Sequence, residues 1–164
     1  MKAHSFIYLI IYSCFIMSVS LQAQEHFADR YNVSYITMDD GLPHNFIDDI
    51  YKDTRGFLWI STAGGGLSRY DGYEFIHFNP NTPHSKLKSN FIHNVYEDRF
   101  HRLWIVSEGG TDIIDLSTLQ SVIPNDPKGL LPRFINHPTY IVILDSQGCI
   151  WLQCDNALHR ITFD

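Results

Sequence analysis

A long internal repeat is the feature that most restricts the fold of this chain. The stretch NFIDDIYKDTRGFLWIS, which begins at Asn45, aligns without a gap with NFIHNVYEDRFHRLWIV, which begins at Asn90. A third and shorter copy, YIVILDSQGCIWLQ, begins at Tyr140. In every copy an aspartate stands six residues before a tryptophan: Asp53 and Trp59, Asp98 and Trp104, Asp145 and Trp151.

The spacing of this repeat predicts a β-propeller. The three tryptophans are 45 and then 47 residues apart, and one four-stranded propeller blade takes about 40–50 residues. The first copy contains four short runs rich in β-branched and aromatic residues, FIDDIY, FLWIS, LSRYD and YEFIHF, which we predict to be four antiparallel strands. Helical repeats of similar length would need a 3.6-residue apolar stripe, and the chain shows none. The prediction is therefore an all-β fold with about three blades.

Three blades do not complete a propeller, which typically has 4–8. We predict blade 1 at residues 45–89, blade 2 at 90–136 and a partial blade 3 at 137–164, preceded by a lead-in at 24–44. Within the lead-in, YNVSYITM at residues 31–38 is predicted to be an outer strand. The open ends of such an array would expose apolar sheet and unpaired strand edges. A fragment, a truncated reading frame and an assembly of several chains all fit this pattern, and we favour the first two.

The first 23 residues predict a secretory signal peptide. Lys2 precedes an apolar run at residues 6–17, and small and polar residues follow up to a cleavage site after Ala23. The alternative is an uncleaved anchor, for which the run is short, since a spanning helix needs about 20 apolar residues. Cleavage removes Lys2 and changes the net charge from −6 to −7. We therefore predict an exported protein.

Two cysteines remain after cleavage, and they are predicted not to bond to each other. Cys149 and Cys154 lie five positions apart in one predicted strand, CIWLQC. At about 3.3 Å per residue their Cα atoms would be roughly 16 Å apart, whereas a disulfide needs about 7 Å or less. The domain is then expected to be stable through its core alone.

The repeated motif predicts structural roles for its residues. Asp53 to Gly56 is expected to form a tight turn, because aspartate accepts backbone hydrogen bonds and glycine adopts a positive φ at little cost. Gly148 occupies the same register, but His101 stands there in the second copy and should be strained. One tryptophan per repeat predicts that these rings pack between neighbouring sheets. The repeat-motif residues are Asp53, Gly56, Trp59, Asp98, Trp104, Asp145, Gly148 and Trp151.

The run Gly64-Gly65-Gly66 invites comparison with a phosphate-binding loop. A lysine followed by serine or threonine, which such a loop requires, does not follow it, and neither does a helix with an anion-binding N-terminus. The run aligns with Gly109-Gly110-Thr111 and with Asp155-Asn156-Ala157. We therefore predict that it is the second hairpin turn of a blade.

No residue pattern points to catalysis, a metal or a cofactor. A glycosidase needs two carboxyl groups on opposite sides of a bond, but in Asp39-Asp40 and Asp48-Asp49 each pair offers at most one group to a site. None of the nine histidines shows metal-ligand spacing. The negative charge and the lack of a Lys/Arg cluster exclude nucleic acid as a partner.

Ligand contacts are expected in loops at one end of the propeller, and individual contact residues stay unassigned. The candidate loops are Ala63–Gly66, Glu108–Asp112 and the segment from Asn79 to Asn90. Alternating aromatic residues on the outer strands could instead present rings to a sugar, although packing between blades is the favoured interpretation. They are Tyr70, Tyr73, Phe75 and Phe78.

The stretch IYKDTRGFLWISTAGGGLSRYDG resembles the two-component regulator propeller repeat, and DDGLPHNFI, from Asp39, resembles the segment that precedes the first such repeat. The resemblance covers residues 31 to 161. The second copy departs from the pattern at His101 and at Val106-Ser107-Glu108, and the third at Asp155-Asn156-Ala157.

This resemblance implies the periplasmic sensor region of a hybrid two-component histidine kinase of the Bacteroidetes type. It implies an oligosaccharide ligand, signal transduction through a phosphorelay, further blades and a kinase in a longer chain, and a homodimer for the full-length family. No kinase residues are visible here, so the chain itself is predicted not to be an enzyme. The alternatives are a fragment of a propeller-fold carbohydrate-active enzyme and a nonfunctional truncated remnant.

Overall fold

The computed structural model describes residue 12, residues 32–83, 86–126 and 129, and residues 131–162. The predicted signal peptide lies outside these residues, apart from Tyr12. The chain divides into two compact units, residues 1–35 and residues 36–164. Every strand among the described residues belongs to the second unit.

The first sheet has the four antiparallel strands that the sequence predicts, paired in chain order. They are β1 (Ile47–Lys52), β2 (Leu58–Thr62), β3 (Gly66–Tyr70) and β4 (Phe75–Phe78). Trp59 pairs with Tyr51 on one side and with Arg69 on the other, so these side chains share one face of the sheet.

The second and third sheets each contain three strands among the described residues. They are β5 (Ile92–Glu97), β6 (Arg102–Ser107) and β7 (Gly110–Asp115), followed by β8 (Thr139–Leu144), β9 (Ile150–Cys154) and β10 (Ala157–Ile161). The predicted fourth strand of the second sheet is reduced to one bridge between Ile114 and Ser121. Pro124 lacks the N–H that a continuing ladder would need. A short helix, α1 (Leu131–Ile135), lies in the connection to the third sheet.

The strand predicted at residues 31–38 is wrong for the described residues 32–38. Residues 32–37 have no regular structure, and a 3₁₀ turn follows at Met38–Asp40. A strand needs a neighbour for its backbone groups, and none of the described strands pairs with this segment. Thr37 and Asp40 cap the 3₁₀ turn reciprocally instead.

The three sheets pack on one another in chain order. We call the face of a sheet that meets the following sheet its front face, and the opposite face its back face. Trp59, Leu67 and Phe78 of the first front face form one core with the second back face, which includes Ile92 and Val95. In the same way, Trp104 and Ile113 of the second front face form a second core with Val142, Ile150 and Leu152. The chain is thus an all-β array of propeller-type sheets.

The structural repeat starts earlier than the aligned segments. Leu42 and Leu87 are 45 residues apart, and Phe134 follows 47 residues later. All three are buried, and Leu87 and Phe134 belong to the two cores between sheets. An apolar side chain ahead of the first strand therefore plugs the back face of each sheet. Leu42 is the plug of the first sheet.

The sheets have two distinct ends. The aspartate end carries the turns after β1, β5 and β8, and the connection end carries the glycine-run turns and the chain between sheets. The glycine run is indeed the β2–β3 turn. Its predicted alignment needs a correction, because Gly66 pairs with Thr62 whereas Gly110 pairs with Ser107 and Ala157 with Cys154. The first turn is therefore one residue longer than the other two.

Cys149 and Cys154 are both buried and do not bond to each other, as predicted. Cys154 lies in the core between the second and third sheets. The Sγ of Cys149 accepts a hydrogen bond from Nη2 of Arg160 at 3.1 Å.

Candidate ligand-binding end of the sheets

At the aspartate end, one carboxylate of each repeat holds both a turn and a tryptophan. In the second sheet, Oδ1 of Asp98 accepts the N–H groups of Phe100 and Arg102, and Oδ2 accepts Nε1 of Trp104 at 2.9 Å. The same tryptophan bond occurs in the other copies, from Trp59 to Asp53 at 2.9 Å and from Trp151 to Asp145 at 2.8 Å. The six-residue spacing in the sequence is the spacing of this bond, which fixes the ring between sheets. These aspartates hold the turns and the tryptophans in place.

His101 adopts the positive φ, 58°, that its register requires, where Gly56 has 95° and Gly148 has 76°. Its Nδ1 lies 2.8 Å from Oε1 of the buried Glu97. Glu97 also accepts hydrogen bonds from the N–H and the hydroxyl of Thr54, both at 2.6 Å, and so joins the first sheet to the second. His101 thus adopts a φ that glycine adopts more easily, and its side chain contacts Glu97, which glycine could not do.

At the connection end, all three candidate loops come together. The N–H of Gly66 donates to the carbonyl of Asn90, and the ring of Phe91 lies against Gly64. The third candidate, Glu108–Asp112, begins in the turn and continues into β7, where Asp112 is buried. The three loops predicted to contact a ligand thus lie at one end of the sheets, although Gly110 to Asp112 belong to a strand.

A partly buried ion pair ties these loops together. Nζ of Lys88 donates to the carbonyls of Thr111 and Ile135 and lies 3.8 Å from Asp112, whose Oδ2 accepts the Lys88 N–H at 2.9 Å. Burial lowers the pKa of Lys88 and raises the pKa of Asp112, because both charged forms lose water. Lys88 thus connects the lead-ins of two successive sheets.

We expect Lys88→Met to lower the free energy of unfolding by about 1–3 kcal/mol, because the buried Asp112 loses its partner and two carbonyls lose a donor. Urea unfolding at fixed protein concentration measures this loss. Lys52→Met replaces an exposed lysine and serves as the matched control. Equal stability of the two variants would contradict the role assigned to Lys88.

Exposed aromatic rings lie at the connection end, near the start of the first strand of each sheet. Phe46 and Phe91 occupy equivalent positions just before β1 and β5, and both are more than half exposed. Tyr140 is also exposed, near the start of β8, and its ring centroid lies 5.3 Å from that of His93 on β5. Phenylalanine recurs in the aligned repeats, but the sequence could not show that these rings stay uncovered.

A shallow depression of about 180 Å³ adjoins Tyr140. It is lined by Pro138, Tyr140, Gln153, Cys154, Asp155 and Asn156. Small-molecule pockets are usually about 300–1,000 Å³, so the depression would take only one end of a larger ligand. The amides and the carboxylate of its rim would supply the hydrogen bonds.

The other aromatic candidates pack within the array, with one exception. Phe78 is buried against Trp59, at 5.4 Å between ring centroids, and Tyr70 stacks on Phe75 at 4.6 Å. Tyr73 is 92% exposed, in the β3–β4 turn at the aspartate end. The predicted packing between sheets is therefore right for Phe78, whereas Tyr70 and Phe75 stack on each other on the back face of the first sheet and Tyr73 stays exposed.

Adjacent carboxylates do not form an acid pair in this structure. Oδ2 of Asp49 accepts hydrogen bonds from the Asn94 side chain and from the N–H of Val95, and so bridges the first two sheets. Asp40 caps the 3₁₀ turn. Within the described residues no cluster of His, Cys, Asp or Glu could hold a metal ion, and no helix there is long and apolar enough to cross a membrane.

Comparison with known proteins shows what the repeat is similar to. The family model for the two component regulator propeller matches residues 41–64 and 86–109, two segments that each begin just before a buried leucine plug and end in the β2–β3 type of turn. These two segments are similar to two component regulator propeller repeats. No match is found among curated proteins.

Three solved structures from B. thetaiotaomicron have a similar fold. The extracellular domain of a hybrid two component system is 23% identical with a TM-score of 0.60, and 73% of this chain aligns with 17% of that one. The extracellular domain of a one component system is 24% identical with a TM-score of 0.60. The match covers 80% of this chain and 19% of that one. Another extracellular domain of a hybrid system is 28% identical with a TM-score of 0.55. The match covers 74% of this chain and 17% of that one. The chain thus spans less than a fifth of each of these structures.

Proposed function

We propose that this chain is part of the exported, non-catalytic sensor region of a two-component system, and that its connection end contributes to binding an oligosaccharide. The repeats and the similarity to extracellular sensor domains support the sensor role. Further blades and a histidine kinase in a longer protein, on the periplasmic and cytoplasmic sides respectively, would carry the signal through a phosphorelay.

The observation that carries the ligand proposal is the set of exposed aromatic rings at the connection end, near the start of the first strand of each sheet. Phe46, Phe91 and Tyr140 are exposed at this end, and Tyr140 lines the depression rimmed by Gln153 and Asn156. Ligand sites combine apolar and aromatic surface with a few placed polar groups. A sugar ring matches such a surface, because its C–H face can stack on an aromatic ring while its hydroxyls reach the amides.

Isothermal titration of the purified chain with oligosaccharides of four to eight units tests this proposal. Arabinan-, xylan- and galactan-derived series would serve as probes. We expect saturable binding of at least one series, and at least tenfold weaker binding by Tyr140→Ala. Tyr73→Ala removes an even more exposed ring at the opposite end and should bind like the wild type.

Two results would contradict this assignment. Release of shorter sugars during the incubation would favour a carbohydrate-active enzyme instead. Absence of binding across the whole panel, or equal loss of binding in both tyrosine variants, would remove the connection end as an oligosaccharide site.

A further inference from the structure

The first strand of every sheet contains one extra residue at the same place, close to the connection end. In β1 the extra residue is Asp48, and in β5 it is His93. In β8 the pairing shifts between Thr139 and Val142, and Tyr140 lies 47 residues after His93. Such β-bulges re-aim side chains and are frequent next to active sites. In repeat proteins, insertions of this kind lie on one face, which is often the binding face.

Asp48 is a carboxylate that the fold does not use. It is exposed, and no hydrogen bond or ion pair joins its side chain to another described residue. The adjacent Asp49 has a different role, since its Oδ2 accepts two hydrogen bonds from the second sheet. The carboxylate of Asp48 is therefore available to donors from a ligand.

His93 joins the bulge of the second sheet to that of the third. Its ring centroid lies 5.3 Å from that of Tyr140, which is 53% exposed and lines the depression. Nε2 of His93 is buried and has no hydrogen-bond partner among the described residues. Buried polar atoms are seldom left in this state, so the nitrogen needs an explanation. A ligand hydroxyl would supply the missing partner if the neighbouring Tyr140 ring moves when it stacks on a sugar.

We propose that the three bulge residues form one row of ligand contacts, along which an extended, linear oligosaccharide lies across the three sheets. Tyr140 stacks on one sugar unit, and His93 and Asp48 hold hydroxyls of units further along the ligand. Two sheet spacings of about 10 Å separate the first sheet from the third, so a short sugar cannot touch all three residues. This inference rests on the proposed oligosaccharide function and adds the length and the course of the ligand.

Titration calorimetry with two lengths of the tightest-binding series tests the row. We expect the hexasaccharide to bind at least tenfold more tightly than the trisaccharide, because only the longer ligand reaches from Tyr140 to Asp48. Asp48→Ala should reduce this advantage at least fivefold. His93→Phe should do the same, since it keeps a ring against Tyr140 and removes both nitrogens. Glu74→Ala removes an exposed carboxylate at the aspartate end and should leave the advantage unchanged.

NMR reports the contact with His93 directly. The imidazole signals of His93, identified by their loss in His93→Phe, should shift as the hexasaccharide is added. The signals of His77, which lies on the outer strand β4, should not shift. A histidine that only supports the fold would give no such difference.

Three results would overturn the row and leave the proposed function standing. They are a trisaccharide that binds as tightly as the hexasaccharide, variants that weaken both lengths equally, and His93 signals that do not respond to the sugar. Absence of binding by every series would refute the proposed function and the row together.

Discussion

Replacing Trp104 with alanine should lower the free energy of unfolding by about 3–5 kcal/mol, the usual cost of removing a large buried ring. Trp104 is fully buried between the second and third sheets, in contact with a core that includes Val142, Ile150 and Leu152. The substitution also removes the Nε1 donor from Asp98, which keeps the Nε of Arg102 at 2.8 Å. Urea unfolding followed by circular dichroism at one fixed protein concentration measures the loss.

Tyr73→Ala is the control for this substitution, because its ring is almost fully exposed. Its backbone N–H still donates to Asp71 after the change. We expect a change within about 0.5 kcal/mol, as for most surface substitutions. If Trp104→Ala cost no more than Tyr73→Ala, the tryptophan would not be the packing residue between these sheets.

Gly110→Ala should destabilise the chain by about 4 kcal/mol or more, since it combines backbone strain with a clash. Gly110 has a φ of 114°, and a Cβ atom there would lie 2.2 Å from the carbonyl oxygen of Ile135. That oxygen belongs to the connection to the third sheet, so it cannot move without moving the connection. Thermal and urea unfolding would both report the loss.

Gly56→Ala isolates the strain from the clash. Gly56 has a similar φ of 95°, but a Cβ there would meet no atom within 4 Å. We expect this variant to lose only about 1–2 kcal/mol, the cost of a left-handed residue with a side chain. Equal losses in the two variants would show that the close approach of Ile135 to Gly110 does not occur in solution.

The sequence was sufficient to predict the strands of each repeat, but not the contacts that these strands make with the rest of the chain. Identical residues at an offset of 45 predict identical strands, because each repeat forms its own local hairpins. The same repeat explains the tryptophans and the turns, down to the positive φ of Asp155 and Asn156 where the third copy has no glycine. The prediction of a strand near residues 31–38 failed because a strand needs a neighbouring strand to pair with. A local sequence pattern does not show whether such a neighbour exists.

The candidate site depended on long-range geometry that residue patterns do not encode. Lys88 and Asp112 come together only because the connection between sheets folds back over β7. Phe46 and Phe91 recur in the alignment like core residues, yet they lie outside the sheets and stay exposed. The plug residues Leu42, Leu87 and Phe134 carry a detectable signal, the same offsets as the tryptophans, just before the segments that were aligned.

Hydrogen–deuterium exchange of the three indole N–H groups tests the stacked-sheet architecture most directly. The measurement is made by NMR on the purified chain. Trp59 and Trp104 are fully buried between sheets and bonded to Asp53 and Asp98, whereas Trp151 is half-buried on an outer face. We expect Trp59 and Trp104 to exchange only through global unfolding and Trp151 to exchange much faster. Exchange of either buried indole at the rate of Trp151 would contradict the stacking of these repeats.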